Sequence, residues 1–286
     1  VTVRLGVHIP ISGGFVKAAE YAVEAGCETV QLFSRNPRAW KPKSILCEEA
    51  DYFYRKCKER FISPVVVHTP YLPNLASADE DFWLRSIEVI KEELIRAEML
   101  GADYLVTHIG KSKEKRGDAL KRVADGINEA LSSVDNSVTI LLENTAGQGA
   151  EIGTHFDEIA TILEMVAEKS KVGVCFDTAH GFQAGYDIRD EEAVEKLVEI
   201  IRCTVGIERV KCVHLNDSKT AFGSRVDRHW YVGEGEIGRE GFLAFMNHSA
   251  FANLPAIMET PKMSVEDDKR NIRKVFELLG RVSRNV

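Results

Sequence analysis

Between His214 and Trp230 the chain reads His-Leu-Asn-Asp-Ser-Lys, then Thr-Ala-Phe-Gly, then Ser-Arg-Val-Asp-Arg-His-Trp. His214, Asp227 and His229 are of the side-chain types that hold borderline divalent metals such as zinc. Lys219, Arg225 and Arg228 lie among them. Metal ligands mixed with cations suit a phosphate substrate, because both seek the same oxygens. The plainer reading is a polar surface loop with two hydrogen-bonded histidines. The elements that must position these residues weigh against it.

Short β-rich runs alternate with longer amphipathic stretches eight times along the chain. Strands are expected at Val3–His8, Thr29–Phe33, Pro64–His68, Tyr104–His108, Val138–Glu143, Val172–Asp177, Val210–His214 and Ala256–Glu259. Helices are expected over about 15–25, 48–60, 78–100, 118–132, 156–169, 190–204, 239–247 and 265–279. Apolar runs each followed by a helical period imply parallel strands covered on both faces. Eight such units in 286 residues imply a closed (β/α)8 TIM barrel, forming one domain over 1–286. An open, doubly wound sheet is the alternative.

Strands three to eight would then end in His68, His108, Glu143, Asp177, His214 and Glu259. A barrel of this kind gathers its strand C-termini at one mouth, so six metal-type ligands would converge there. Six such groups without cations would be costly to desolvate, and more than one bound divalent ion removes that cost. His180, three residues after Asp177, and the pair Asp227 and His229 bring the candidates to nine. Zinc takes about four ligands, so three ions sharing a bridging carboxylate fit that number. His8 ends the first strand with no acidic residue near it in sequence; an outer hydrogen bond suits it better than ligation. His155 and His248, at expected helix ends, read as solvated.

The composition is that of a soluble globular protein, and no run approaches the roughly 18 apolar residues of a membrane helix. No charged leader and apolar segment open the chain, so no secretory signal is expected. Six cysteines are scattered without a C-x-x-C pair; Cys175 and Cys212 fall in apolar strands as buried thiols, which suits a reducing cytoplasm. The net charge of −7 taken whole argues against nucleic acid as partner. Its distribution argues for it. The loop from Ser34 to Ser44 carries Arg35, Arg38, Lys41 and Lys43 and no acid. The segments Ile109–Asp118 and Leu215–Tyr231 are also net positive. All three follow strand C-termini and lie on the expected metal side, where phosphates would bind. Asn36, Arg38, Trp40, Tyr71 and Leu72 mix aromatic, apolar and cationic tips that can enter a minor groove and unstack a base step. Packing of Trp40 and Tyr71 within their own loops is the alternative. Gly233, Gly235 and Gly238 match the spacing of a dinucleotide fingerprint, but they follow no strand directly; a turn-rich loop is expected, and no nucleotide cofactor.

The sequence resembles the endonuclease IV family of apurinic/apyrimidinic endonucleases. The matching segments include Gly6-Val-His8, Asn36-Pro-Arg38-Ala-Trp40, His68-Thr-Pro-Tyr71-Leu72, Leu142-Glu143-Asn144-Thr-Ala-Gly147-Gln-Gly149, Gly173-Val-Cys-Phe-Asp177-Thr-Ala-His180, His214-Leu-Asn-Asp217-Ser-Lys219, Gly223-Ser-Arg-Val-Asp227-Arg-His229, Gly233-Glu-Gly235-Glu-Ile-Gly238 and Glu259-Thr-Pro261. They span nearly the whole chain in one order. The resemblance implies a trinuclear zinc site: one ion on His68, His108 and Glu143; a second on Glu143, Asp177, His214 and Glu259; a third on His180, Asp227 and His229. Manganese or iron(II) can occupy such sites too. His108 is followed by Ile109 rather than the family's common Pro, and Trp230 follows His229; neither replaces a ligand.

The family's activity implies hydrolysis of the phosphodiester 5′ of abasic sites in duplex DNA by a metal-bridging hydroxide. The products would be a 3′-hydroxyl and a 5′-deoxyribose phosphate, and blocked 3′ ends would be trimmed. Glu143 and Glu259 would position metals and water. Arg38, Tyr71 and Leu72 match the positions the family inserts at the lesion, and Lys219, Arg225 and Arg228 would contact phosphates. The expected setting is a monomer in the cytoplasm, working on the nucleoid without a membrane partner. The rivals are a sugar isomerase or epimerase on the same barrel, which does not need His180, Asp227 and His229 as ligands, and a non-catalytic lesion-binding protein.

Overall fold

The computed structural model describes residues 3–281. Of the span 1–286 expected to form one domain, residues 1, 2 and 282–286 lie outside it. The eight barrel strands are β1 (Arg4–Ile9), β2 (Thr29–Phe33), β3 (Val65–His68), β4 (Tyr104–His108), β5 (Thr139–Glu143), β6 (Val172–Asp177), β7 (Val210–His214) and β10 (Pro255–Met258). They close in the order β1-β10-β7-β6-β5-β4-β3-β2. Closure rests on β1 pairing in parallel with β10, Arg4 against Pro255 through Val7 against Met258. That pairing excludes the open sheet. On its other side β1 lies against β2, where Gly6 makes room, since a Cβ there would run into the Thr29 carbonyl oxygen.

The outer helices are α1 (Gly14–Ala25), α2 (Cys47–Glu59), α3 (Glu80–Met99), α4 (Arg116–Ser133), α5 (Phe156–Met165), α7 (Glu191–Cys203), α8 (Gly238–Asn247) and α9 (Val265–Leu278). Each turns an apolar face to the strands and a charged face outward. Among the described residues no helix is long and apolar enough to cross a membrane.

The pleat decides what fills the barrel. Side chains two residues apart share a face, so the residues two before the strand-end groups also point inward. These are Val66, Val106, Leu141, Cys175, Cys212 and Ile257, all fully buried in one cluster. They form an apolar plug directly under the six strand-end groups, and the two thiols serve there as small apolar residues.

Several boundaries differ from expectation. The last barrel strand begins at Pro255, where a missing N–H is tolerated, and ends at Met258, so Glu259 stands just beyond it. The fifth helix stops at Met165 instead of 169. Some elements near the strand ends were not expected. Helix α6 (Thr178–Ala184) follows β6 without a loop, capped by Asp177, whose side chain accepts the backbone N–H of His180. It is buried nearly all round, so it carries no amphipathic period. A short ribbon, β8 (Asp217–Ser218) against β9 (His229–Trp230), folds the loop after β7 back on itself.

Candidate metal centre

The nine sequence-predicted ligands converge at the mouth of the barrel. Three overlapping groups have ligand atoms close enough to share an ion: His68, His108 and Glu143; Glu143, Asp177, His214 and Glu259; and Asp177, His180 and His229. Asp227 joins the last group, its Oδ1 standing 3.3 Å from His180 Nε2 and 3.5 Å from His229 Nε2.

Glu143 is the hub. His68 Nε2 and His108 Nε2 lie 3.1 and 3.2 Å from its Oε2, and His214 Nδ1 and His180 Nδ1 lie 3.0 and 3.4 Å from its Oε1. Burial alone would raise its pKa, but His214, His108 and His180 outweigh burial and hold it well below the usual carboxylate range. Burial would likewise raise Asp227, yet His180 and His229 draw it down to about 2.

Main-chain carbonyls orient two of the histidines. His68 donates from Nδ1 to the Thr69 carbonyl at 2.7 Å, and His180 donates from Nδ1 to the Asn144 carbonyl at 3.0 Å. Each leaves Nε2 facing the carboxylates, as a metal ligand requires.

Sequence reasoning passed over the amides that hold this centre. Asn216 donates to Asp177 Oδ2 at 2.7 Å, and its Oδ1 accepts the Glu259 N–H at 2.7 Å, so it sets two candidate ligands at once. Asn144 accepts the Asp177 N–H at 2.7 Å. Gln31 reaches Glu259, His214 and His8. Asn144 directly follows a candidate ligand and Asn216 stands two residues after one, which was the available clue. Gln31 lies mid-strand with no local clue. His8 does have an acidic neighbour, Glu259, 3.5 Å away across the barrel. His155 is exposed, but His248 is paired with Glu195 at 3.0 Å rather than solvated.

Over residues 19–282 the chain matches the family described as xylose isomerase-like TIM barrel. It is 44% identical to the probable endonuclease 4 of Methanosphaerula palustris, over 96% of this chain and 98% of that one. The crystal structure of endonuclease IV from Thermus thermophilus superposes with a TM-score of 0.86 at 34% identity, covering 97% of this chain and 99% of that one. The chain belongs to the endonuclease IV family. A D-tagatose 3-epimerase-like protein, 20% identical over 97% of each chain with a TM-score of 0.73, shares the fold alone.

In this endonuclease IV family member the loops around the centre are not all alike. Tyr71 is 63% exposed and stands at the cavity wall, its ring 5.3 Å from Phe33 and 6.4 Å from His108. Leu72 beside it is half-buried. Asn36 and Arg38 stand at the surface, and Asn36 Oδ1 accepts the Arg38 N–H at 3.0 Å. Lys219, Arg225 and Arg228 are exposed; the Lys219 ammonium sits 4.2 Å above the Trp230 ring.

Arg35 and Trp40 of the cationic loop are both engaged by helix α3. Arg35 is buried and paired with Glu93 and, at 2.8 Å, with Glu92, so its charge is spent inside the protein. The expected four cations at that surface are therefore three. Trp40 packs edge-on against Phe82 at 5.5 Å, with the Arg85 guanidinium 4.0 Å from its ring. The glycine-rich loop wraps the protein's own carboxylate: Asp217 accepts the backbone N–H groups of Gly235, Ile237 and Gly238 at 2.8, 3.0 and 3.3 Å.

Proposed function

We propose that this protein is a zinc-dependent endonuclease that cuts duplex DNA on the 5′ side of abasic sites and trims blocked 3′ ends. The observation that carries the reading is that Asp227 stands 3.3 and 3.5 Å from His180 and His229, a further set of ligand types beside two groups that share Glu143. The donor chemistry fits metal: His214 Nδ1 faces Glu143, Glu259 and Asp177 oxygens at 3.0, 3.3 and 3.8 Å, a cage suited to a divalent cation. His68, His108 and Glu143 would hold one ion; Glu143, Asp177, His214 and Glu259 a second; His180, Asp227 and His229 a third. Zinc bound there supplies Lewis acidity, lowering the pKa of water to about 7 and drawing charge from phosphate oxygens.

The chain's own part is placement. Glu143 and Glu259 orient what lies between the ligand groups and do not act as free bases. Tyr71 lines the cavity at the centre, and with Leu72 next to it in the chain would fill the gap left by a missing base. An abasic nucleotide has lost its pairing and much of its stacking, so extruding it costs little. Arg38, Lys219, Arg225 and Arg228 grip phosphates around it. Trp40 acts through the loop it anchors.

The deciding assay uses end-labelled duplex with a single abasic site. Nicking on the 5′ side, abolished by prolonged chelation and restored by zinc, is expected. Ketose–aldose interconversion with one ion per chain and no nicking would establish the isomerase reading instead. Tight binding of the abasic duplex without nicking would establish a lesion-binding protein.

A further inference from the structure

Gln31 points into the barrel from β2 and is fully buried. It belongs to none of the ligand groups, yet its amide joins three groups around them. Its Oε1 lies 2.7 Å from His214 Nε2. Its Nε2 lies 2.7 Å from Glu259 Oε1 and 2.9 Å from His8 Nδ1. An ionised carboxylate can only accept hydrogen bonds, so the amide nitrogen must face Glu259. That turns Oε1 toward His214, and His214 must donate from Nε2. The Nδ1 lone pair is then left facing the oxygens of Glu143, Glu259 and Asp177.

We propose that Gln31 is a positioning residue for the ion of the second group: its amide selects the His214 tautomer and steadies the Glu259 carboxylate, so that both present lone pairs to one cation. The inference rests on the metal reading above. His68 and His180 take their orientation from main-chain carbonyls, which no substitution removes. His214 takes it from a side chain, so a substitution at Gln31 can release that ring while Asn216 still holds Asp177 and Glu259. His8 ends the relay. It accepts from Gln31 at Nδ1, so its proton sits on Nε2, which is buried without a partner among the described residues; the ring braces Gln31 and is not a ligand.

The test compares zinc-loaded wild type with Gln31→Met, which keeps the bulk of the side chain and removes both kinds of hydrogen bond. Competition with a graded chelator, read by elemental analysis, needs no DNA. One ion of the variant should be lost at a chelator concentration roughly 10- to 100-fold lower than in the wild type, the scale of a lost outer partner. The remaining ions should be released as before. With 113Cd as the ion and 15N-labelled histidine, the wild type should show coupling to His214 Nδ1, and the variant should lose it. Unchanged release of every ion, with that coupling intact, overturns the assignment. A wild type that takes up no divalent ion overturns the metal reading and this inference with it. Gln31→Glu, of the same shape but with an acceptor facing Glu259, is read by the same two measurements should the methionine variant fail to fold.

Discussion

Asp217 Oδ2 accepts the backbone N–H of Gly235 at 2.8 Å, and this contact ties down the loop that carries Asp227 and His229. The tie has no room for change. A Cβ at Gly235 would stand 2.3 Å from the Ser218 carbonyl oxygen and 2.6 Å from Asp217 Oδ1. Asp217→Asn would set an amide N–H₂ against main-chain N–H groups. Both Asp217→Asn and Gly235→Ala should therefore loosen the β8–β9 ribbon, cost the ion of the third group, and lower nicking at least roughly tenfold. Metal content equal to the wild type's would show that the ribbon does not hold that ion.

Arg35 and Arg38 stand three residues apart in one cationic loop, with opposite roles. Removing Arg35 leaves Glu93 buried without its main partner. Arg35→Ala should cost roughly 3 to 5 kcal/mol in urea denaturation. Arg38→Ala should leave stability within about 0.5 kcal/mol and reduce the salt dependence of DNA binding by about one phosphate contact. Equal effects on stability would contradict the assignment.

Tyr71 and Trp40 divide in the same way. Trp40 is wedged between Phe82 and Arg85, so Trp40→Ala should destabilise the fold by about 1 to 3 kcal/mol. Tyr71→Ala should leave the thermal midpoint nearly unchanged and weaken binding to an abasic duplex by roughly 10- to 100-fold, the scale of a lost stacking contact. Undamaged duplex should be affected much less. A Tyr71 variant that binds both duplexes like the wild type would remove this residue from the lesion contact.

A divalent ion held by the second group would compete with protons for His214. In the metal-free protein burial alone would lower its pKa, but Glu259 and Glu143 outweigh burial and raise it to about 10. Raised above its unfolded value near 6.5, this group stabilises the metal-free fold fully below about pH 6.5, and the contribution is lost as pH rises through about 10. Zinc uptake near neutral pH should release protons into a weak buffer, and apparent zinc affinity should fall from about pH 9 to about pH 6. An affinity that stays level across that range, measured by chelator competition, would refute this competition.

The amino-acid sequence by itself determined the barrel and the ring of candidate ligands. Four strands, β2, β4, β6 and β7, have the bounds their apolar runs indicate, because a strand covered on both faces leaves a contiguous apolar signature. Ligand types at strand ends are legible because a parallel barrel sends every strand's C-terminus to one mouth. Tertiary structure alone decided which side chains orient those ligands. Gln31, Asn144 and Asn216 act across strands far apart in sequence, and a residue's own neighbours do not reveal which partners another strand will bring to its amide. It also separated Arg35 from Arg38, since a cation in a loop becomes a surface charge or a buried ion pair according to the acid that a neighbouring helix brings beside it. Helix α6 escaped for a related reason: buried on nearly every side, it has no polar face to give it a period.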